Sequence, residues 1–167
     1  MPTAVTHVLL TIIAVDLYRD YFYKHKKVIT LHMVFLGGVF GLIPDIDIPI
    51  YWLLKNVFGI SVGFFHRTYT HTFLIPLALL LFAVLFHKRH KLSIMLGIAS
   101  FAVSFHIILD LVLMGYVAPF WPLSDITVGL GLLDRLAWPA LMEGIDAILL
   151  LGWLWHEEKK HRITDFI

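Results

Sequence analysis

Cysteine is absent from this 167-residue chain, which removes disulfides, thiolate metal ligands and a cysteine nucleophile together. Any metal must be held by histidine and carboxylates. Charge is sparse too, at 15% of residues, and 13 Lys plus Arg against 12 Asp plus Glu leave no basic excess of the kind that advertises a nucleic-acid partner. No GxSxG elbow is present, and Ser61, Ser93, Ser100, Ser104 and Ser124 have no convincing base partner in sequence, which sets a serine hydrolase aside. Linkers, low-complexity tracts and internal repeats are missing as well. The expectation is one integral membrane domain spanning residues 1–167.

What the chain has is apolar surface. At 59% hydrophobic residues and a mean hydropathy of +0.84, it carries more than a soluble domain of this length could bury. Met1-Pro2-Thr3 runs directly into an apolar segment without a basic leader, so the segment reads as a retained first helix. Five apolar stretches follow, approximately 4–18, 28–43, 72–86, 93–116 and 138–155. Arg19, Lys24, Lys26 and Lys27 separate the first two; Lys88, Arg89 and Lys91 separate the third and fourth; Lys159, Lys160 and Arg162 follow the fifth. These basic clusters fall on alternate ends, so the positive-inside rule gives an all-α polytopic bundle of about five spans in the cell membrane, N-terminus outside and C-terminus cytoplasmic. Residues 44–69 read as an interfacial or re-entrant piece and 117–137 as loop and short turns, both outside. Gly37 and Gly41 form a small-xxx-small pair suited to a close helix contact.

On this topology the polar residues collect toward the outer side. Asp45 and Asp47 follow the second span, His66 and His71 precede the third, and His106 and Asp110 lie in the outer half of the fourth. The HxxxD spacing puts His106 and Asp110 on one helical face, about 6 Å apart along the axis, which suits ligands of one metal or of two adjacent ones. Three histidines and three carboxylates at one membrane depth would cost several kcal/mol each unpaired. A divalent cation would neutralise them. The His and Asp mixture suits Zn, Mn or Fe, with zinc placed first, better than Ca. Arg67 is expected to contact an anionic substrate. His7 is a further ligand or a satisfied core histidine, and Glu143, with Asp146, a general base or a polar helix contact. Thr70 reads as a cap for the third span. His25, His87, His90, His156 and His161 read as solvated interface, and His32 lies too far from Asp45 to join it.

In this order, His7, Pro44-Asp45-Ile46-Asp47, His66-Arg67 with Thr70-His71, His106 to Asp110 and Trp121-Pro122 resemble the predicted membrane-bound metal-dependent hydrolases, also described as LexA-binding inner-membrane-associated hydrolases. The likeness runs from His7 to about Glu143. It implies an integral membrane protein with metal-assisted hydrolase activity. Ile48-Pro49 stands where the family has His-Pro, which removes one possible ligand, and the segments around Arg67 and after Asp110 also depart from its pattern. A fainter similarity to zinc-dependent phospholipase C enzymes rests on the HxxxD pair.

The expected activity is hydrolysis of an ester or phosphoester by metal-activated water, the substrate plausible as a lipid or lipid-linked molecule reaching an extracytoplasmic site from the bilayer. A proton or metal-ion transporter and a non-catalytic scaffold are the alternatives. Membrane lipids are the expected partners; the sequence does not give an oligomeric state.

Overall fold

A computed structural model describes residues 4–22, 28–60, 66–114, 116–133 and 139–161. The described regular structure is helical: α1 (Ala4–Leu17) continues into a π-helical turn (Tyr18–Phe22), followed by α2 (Leu31–Phe40), a 3-10 turn (Pro44–Ile46), α3 (Asp47–Asn56), α4 (Leu74–Leu85), α5 (His90–Leu113) and α6 (Pro139–His161). The extended backbone it shows is one isolated bridge, Val117 with Val128.

Thr30 starts α2 by accepting a hydrogen bond from Met33 N at 3.3 Å, which satisfies an otherwise orphaned first-turn donor. Pro44 then forces the chain into a tight turn, because it cannot continue the backbone ladder, and α3 leaves at 50° to α2. None of α3 is buried. That agrees with a segment lying along a surface rather than within the bundle. The third apolar stretch is shorter than expected: α4 begins at Leu74 and has 12 residues, about 18 Å of helix. Thr70 does not cap it. Thr72 does the local work, accepting from Leu74 N at 3.3 Å and donating to the carbonyl of Trp121 at 2.6 Å.

The helix α5 is central, packing on α4, α2 and α1, while α6 packs on α1. Val15, Ile29, Met33, Val34 and Ile98 form one buried cluster among α1, α2 and α5; Val103, Ile107 and Val117 form another toward the opposite end of α5. Close approach of α2 is set by its glycines. A Cβ on Gly38 would lie 2.6 Å from Ile12 Cγ1, and one on Gly41 would lie 3.0 Å from Thr11 Oγ1. Gly37 meets Val15 and Ile98. Between α4 and α5, Ser100 donates to the carbonyl of Pro76 at 2.7 Å and Ser93 to that of Ala83 at 2.8 Å.

The outer faces are apolar. Leu77, Leu81, Val84 and Leu85 of α4 and Ile148, Leu151 and Trp155 of α6 are exposed, more large apolar side chains than a water-facing surface carries. By length and hydropathy α5 is long and apolar enough to cross a membrane by itself, and the bent pair of α2 with Pro44–Asn56 meets the same criterion together.

Candidate metal centre

Four separate segments bring the sequence-predicted residues together. α1 supplies His7, the turn after α2 supplies Asp45 and Asp47, the segment before α4 supplies Arg67, Thr70 and His71 together with His66, and α5 supplies His106 and Asp110. His7, His71, His106 and Asp110 are fully or almost fully buried. Asp45 and Asp47 keep 19% of their side-chain surface open, so they mark the accessible side.

The inner arrangement is a four-cornered figure. His71 Nε2 lies 3.2 Å from His106 Nε2, 3.3 Å from Asp110 Oδ2 and 3.6 Å from Asp45 Oδ1. His106 Nε2 lies 3.5 Å from Asp45 Oδ1 and 3.9 Å from Asp110 Oδ2. Four ligands around a tetrahedral cation at about 2.0–2.1 Å stand roughly 3.3 Å apart. The triad of His71, His106 and Asp110 and the approach of Asp45 to both imidazoles, at 3.2 to 3.9 Å, are of that order.

Hydrogen bonds behind the rings orient them. His106 Nδ1 lies 2.6 Å from the carbonyl of Gly41, which can only accept, so Nδ1 carries the proton and the neutral ring turns the lone pair of Nε2 inward. For His71 the chain is one link longer. Thr70 Oγ1 donates to Asp47 Oδ2 at 2.9 Å and so accepts from His71 Nδ1 at 3.1 Å. In neutral His71 the Nε2 lone pair is again inward. Two such lone pairs facing each other at 3.2 Å form no hydrogen bond and require a proton or a cation between them.

The flanking residues extend the centre. His7 stacks on His106 with ring centroids 3.8 Å apart and brings Nε2 to 3.4 Å from Asp110 Oδ1. His66 Nδ1 is 3.0 Å from Asp47 Oδ1, and its Nε2 faces Asp45 Oδ1 at 3.9 Å. Convergent ligand atoms come from His7, Asp45, His66, His71, His106 and Asp110; Asp47 stands behind them, holding His66 and Thr70. Arg67 is buried, donating from Nε to Asp110 Oδ2 and from Nη1 to Tyr116 Oη, each at 3.0 Å. Its φ of 67° and its carbonyl's bond from Ala118 N fix it there. Glu143 lies on α6, but its side chain is outside the described residues. Asp146, on the same helix, accepts from Thr6 Oγ1 at 2.8 Å.

Electrostatics follow the geometry. Burial opposes ionisation of Asp45, but hydrogen bonds with His106 and His71 outweigh it and hold its carboxyl below the usual carboxylate range. Asp47 is likewise lowered, against its burial, chiefly by His66. His71 is raised from its ordinary 6.5, because Asp110 and Asp45 outweigh its burial.

A family model described as YdjM inner membrane protein matches residues 1–164. The chain belongs to the YdjM inner membrane protein family. Its place in the inner membrane fits the apolar outer surface described above. No curated protein and no solved structure matches the chain.

Sequence reasoning missed several parts of this YdjM-family site. Gly41 and Thr70 set the tautomers through one backbone carbonyl and one hydroxyl, and neither carries a chemical signature in sequence. Tyr116 anchors Arg67 across a distance no local spacing reveals. At the other end of α1 the sequence reading needs correction: His156 faces Asp20 at 3.4 Å rather than open interface, close to Arg19, which is buried. Helical register accounts for both, since it turns Arg19 and His156 toward the α1–α6 contact.

Proposed function

We propose that this YdjM-family protein is a membrane-embedded, metal-dependent hydrolase whose divalent cation, zinc ahead of manganese or iron, is held by Asp45, His71, His106 and Asp110 with His7 and His66 alongside. The observation that carries this reading is the pair of inward Nε2 lone pairs 3.2 Å apart, framed by two carboxylate oxygens. A bound divalent cation supplies an acidified water and polarises a carbonyl or phosphoryl oxygen. The chain does the rest. Gly41 and Thr70 aim the two imidazoles, Arg67 holds Asp110, and Asp47 holds His66. His66, beside the partly open Asp45 and Asp47, is placed to accept a proton released during hydrolysis. Arg67 is buried with Nε on Asp110 and Nη1 on Tyr116, so in this reading it acts through Asp110.

The substrate is an ester or phosphoester on a lipid or lipid-linked molecule. Exposed apolar side chains support this: Ile46, Ile50 and Trp52 lie on the segment that carries the partly open Asp45 and Asp47, and Tyr69 lies next to Thr70, which bonds Asp47. The charge pattern supports five spans with the N-terminus outside, the C-terminus cytoplasmic and the centre extracytoplasmic, in a single domain over residues 1–167. The purified protein, assayed against a panel of lipid esters and phosphoesters, should hydrolyse one class only with divalent metal, and Asp110→Asn should lower the rate by about 100-fold. Hydrolysis indifferent to chelation, or no bound metal with unchanged stability after His106→Ala, would sink the proposal.

One observation favours a second reading. His7, Thr11 and Asp16 are buried at successive depths along α1, as a proton or metal-ion pathway requires. Metal-dependent flux into vesicles without hydrolysis of any panel member would select transport over catalysis.

A further inference from the structure

The end of α1 away from His7 holds a second buried polar cluster. Asp16 lies nine residues beyond His7, about 14 Å along the helix, so the two clusters share no ligand. The π-helical turn adds Arg19 and Asp20, and α6 adds Trp153, His156 and Glu157. Asp16 is fully buried and Glu157 almost so. Trp153 Nε1 donates to Asp16 Oδ2 at 3.1 Å. Arg19 Nη1 lies 3.3 Å from Asp16 Oδ1, and Arg19 Nη2 lies 3.2 Å from Asp20 Oδ1.

Two features of this cluster point to a cation site. Asp16 Oδ1 and His156 Nε2 are buried without a hydrogen bond; Asp16 Oδ1 has a charge contact to Arg19 at 3.3 Å and His156 Nε2 one to Asp20 at 3.4 Å, and the Asp16 carboxyl also meets that of Glu157. One ligand atom each from Asp16, His156 and Glu157 also lie within 4.8 Å of one another. Charge points the same way. The carboxyl groups of Asp16, Asp20 and Glu157 crowd against the single guanidinium of Arg19, a grouping that a divalent cation would relieve. The nearby ammonium groups are placed over rings, Lys159 Nζ 3.9 Å from the Trp155 centroid and Lys160 Nζ 4.8 Å from that of Tyr21.

We propose that Asp16, His156 and Glu157 form a second divalent-cation site that fastens the end of α1 to α6. One imidazole nitrogen and two carboxylates suit zinc, manganese, iron or cobalt better than calcium. The site uses no ligand of the centre at His71 and His106 and does not depend on that centre's chemistry. Its position on the joint between two helices makes it a stabilising ion rather than a reacting one.

Titration of the purified, full-length protein with Co²⁺, read by its visible d–d absorption and by equilibrium dialysis, tests the site. Asp45→Asn with Asp47→Asn disables the first centre on its partly open side; this protein should still take up one equivalent of Co²⁺. Adding His156→Gln, or independently Glu157→Gln, should weaken that uptake about tenfold or more and remove the metal-dependent rise in melting temperature. His156 is half-buried, so its variant serves if Glu157→Gln does not fold. Absence of Co²⁺ uptake by the Asp45→Asn, Asp47→Asn protein, or uptake indifferent to both α6 substitutions, overturns the inference. The first centre is judged separately, by the equivalent lost between the native protein and the Asp45→Asn, Asp47→Asn variant.

Discussion

Thr70 carries no metal-binding group of its own in this arrangement, yet its hydroxyl decides which way His71 is protonated. It gives its proton to Asp47 and takes the Nδ1 proton of His71 into its lone pair. Thr70→Val keeps the shape and removes both bonds. The ring of His71 is then free to place its proton on Nε2, facing His106. Metal affinity should fall about 10- to 100-fold, the usual cost of losing a group that orients a ligand, with little change in helix content; isothermal titration with Zn²⁺ beside circular dichroism reads both. A Thr70→Ser substitution should restore most of the affinity. If Thr70→Val binds as tightly as the native protein, the tautomer argument for the centre fails.

The same residues set a pH dependence. His71 is raised above 6.5 by Asp110 and Asp45, so in the metal-free protein its imidazolium adds stability that is full below 6.5 and is lost as pH rises through the raised value. Asp45 and Asp47 are lowered; their contribution is present above the ordinary carboxylate range and disappears as acid protonates them. Metal must displace the His71 proton. Binding should therefore release protons near neutrality, and affinity should fall as pH drops through the raised value, by about tenfold per pH unit for one displaced proton. Proton release measured by titration in two buffers of different ionisation enthalpy checks this; metal affinity that is flat between pH 8 and pH 5 contradicts it.

At the scale of elements, α2 transmits helix packing to the centre. Its glycines let it approach α1 until a Cβ on Gly38 would press Ile12, and three residues later Gly41 presents the carbonyl that fixes His106. Gly38→Val should separate the two helices, with an overpacking cost of about 1–3 kcal/mol. Metal binding should weaken more than the loss of stability alone would give, because the Gly41 carbonyl moves with the helix. Thermal unfolding with and without Zn²⁺ separates the two effects. Much of this scale was readable beforehand: HxxxD on one helix face and the Gly37–Gly41 spacing are local patterns with fixed periods, and the change of composition at Pro44 marked the end of the second apolar stretch. What was not readable depends on register between distant segments. Arg67 reaching Tyr116, and Asp16 meeting Trp153 and Glu157, follow from how helices rotate against each other, which neither hydropathy nor spacing specifies.

At the scale of the whole molecule, composition placed the chain in a membrane, while the number of crossings rests on the basic clusters more than on helix length. Among the described helices α5 is the one that is long and apolar enough alone, and α4 is about 18 Å long against a hydrocarbon core of about 30 Å. Short helices can still cross where the bilayer thins or where flanking residues reach the interface, so orientation needs its own measurement. The chain's lack of cysteine makes that measurement direct. Leu123, 81% exposed in the segment after α5, is expected outside; Lys88, exposed between α4 and α5, is expected inside. In intact spheroplasts a membrane-impermeant maleimide should label Leu123→Cys at once and Lys88→Cys only after permeabilisation. The reverse pattern would turn the molecule over and move the His71–His106 centre to the cytoplasmic face. Its geometry would survive that result, but a substrate met outside the cytoplasm would not.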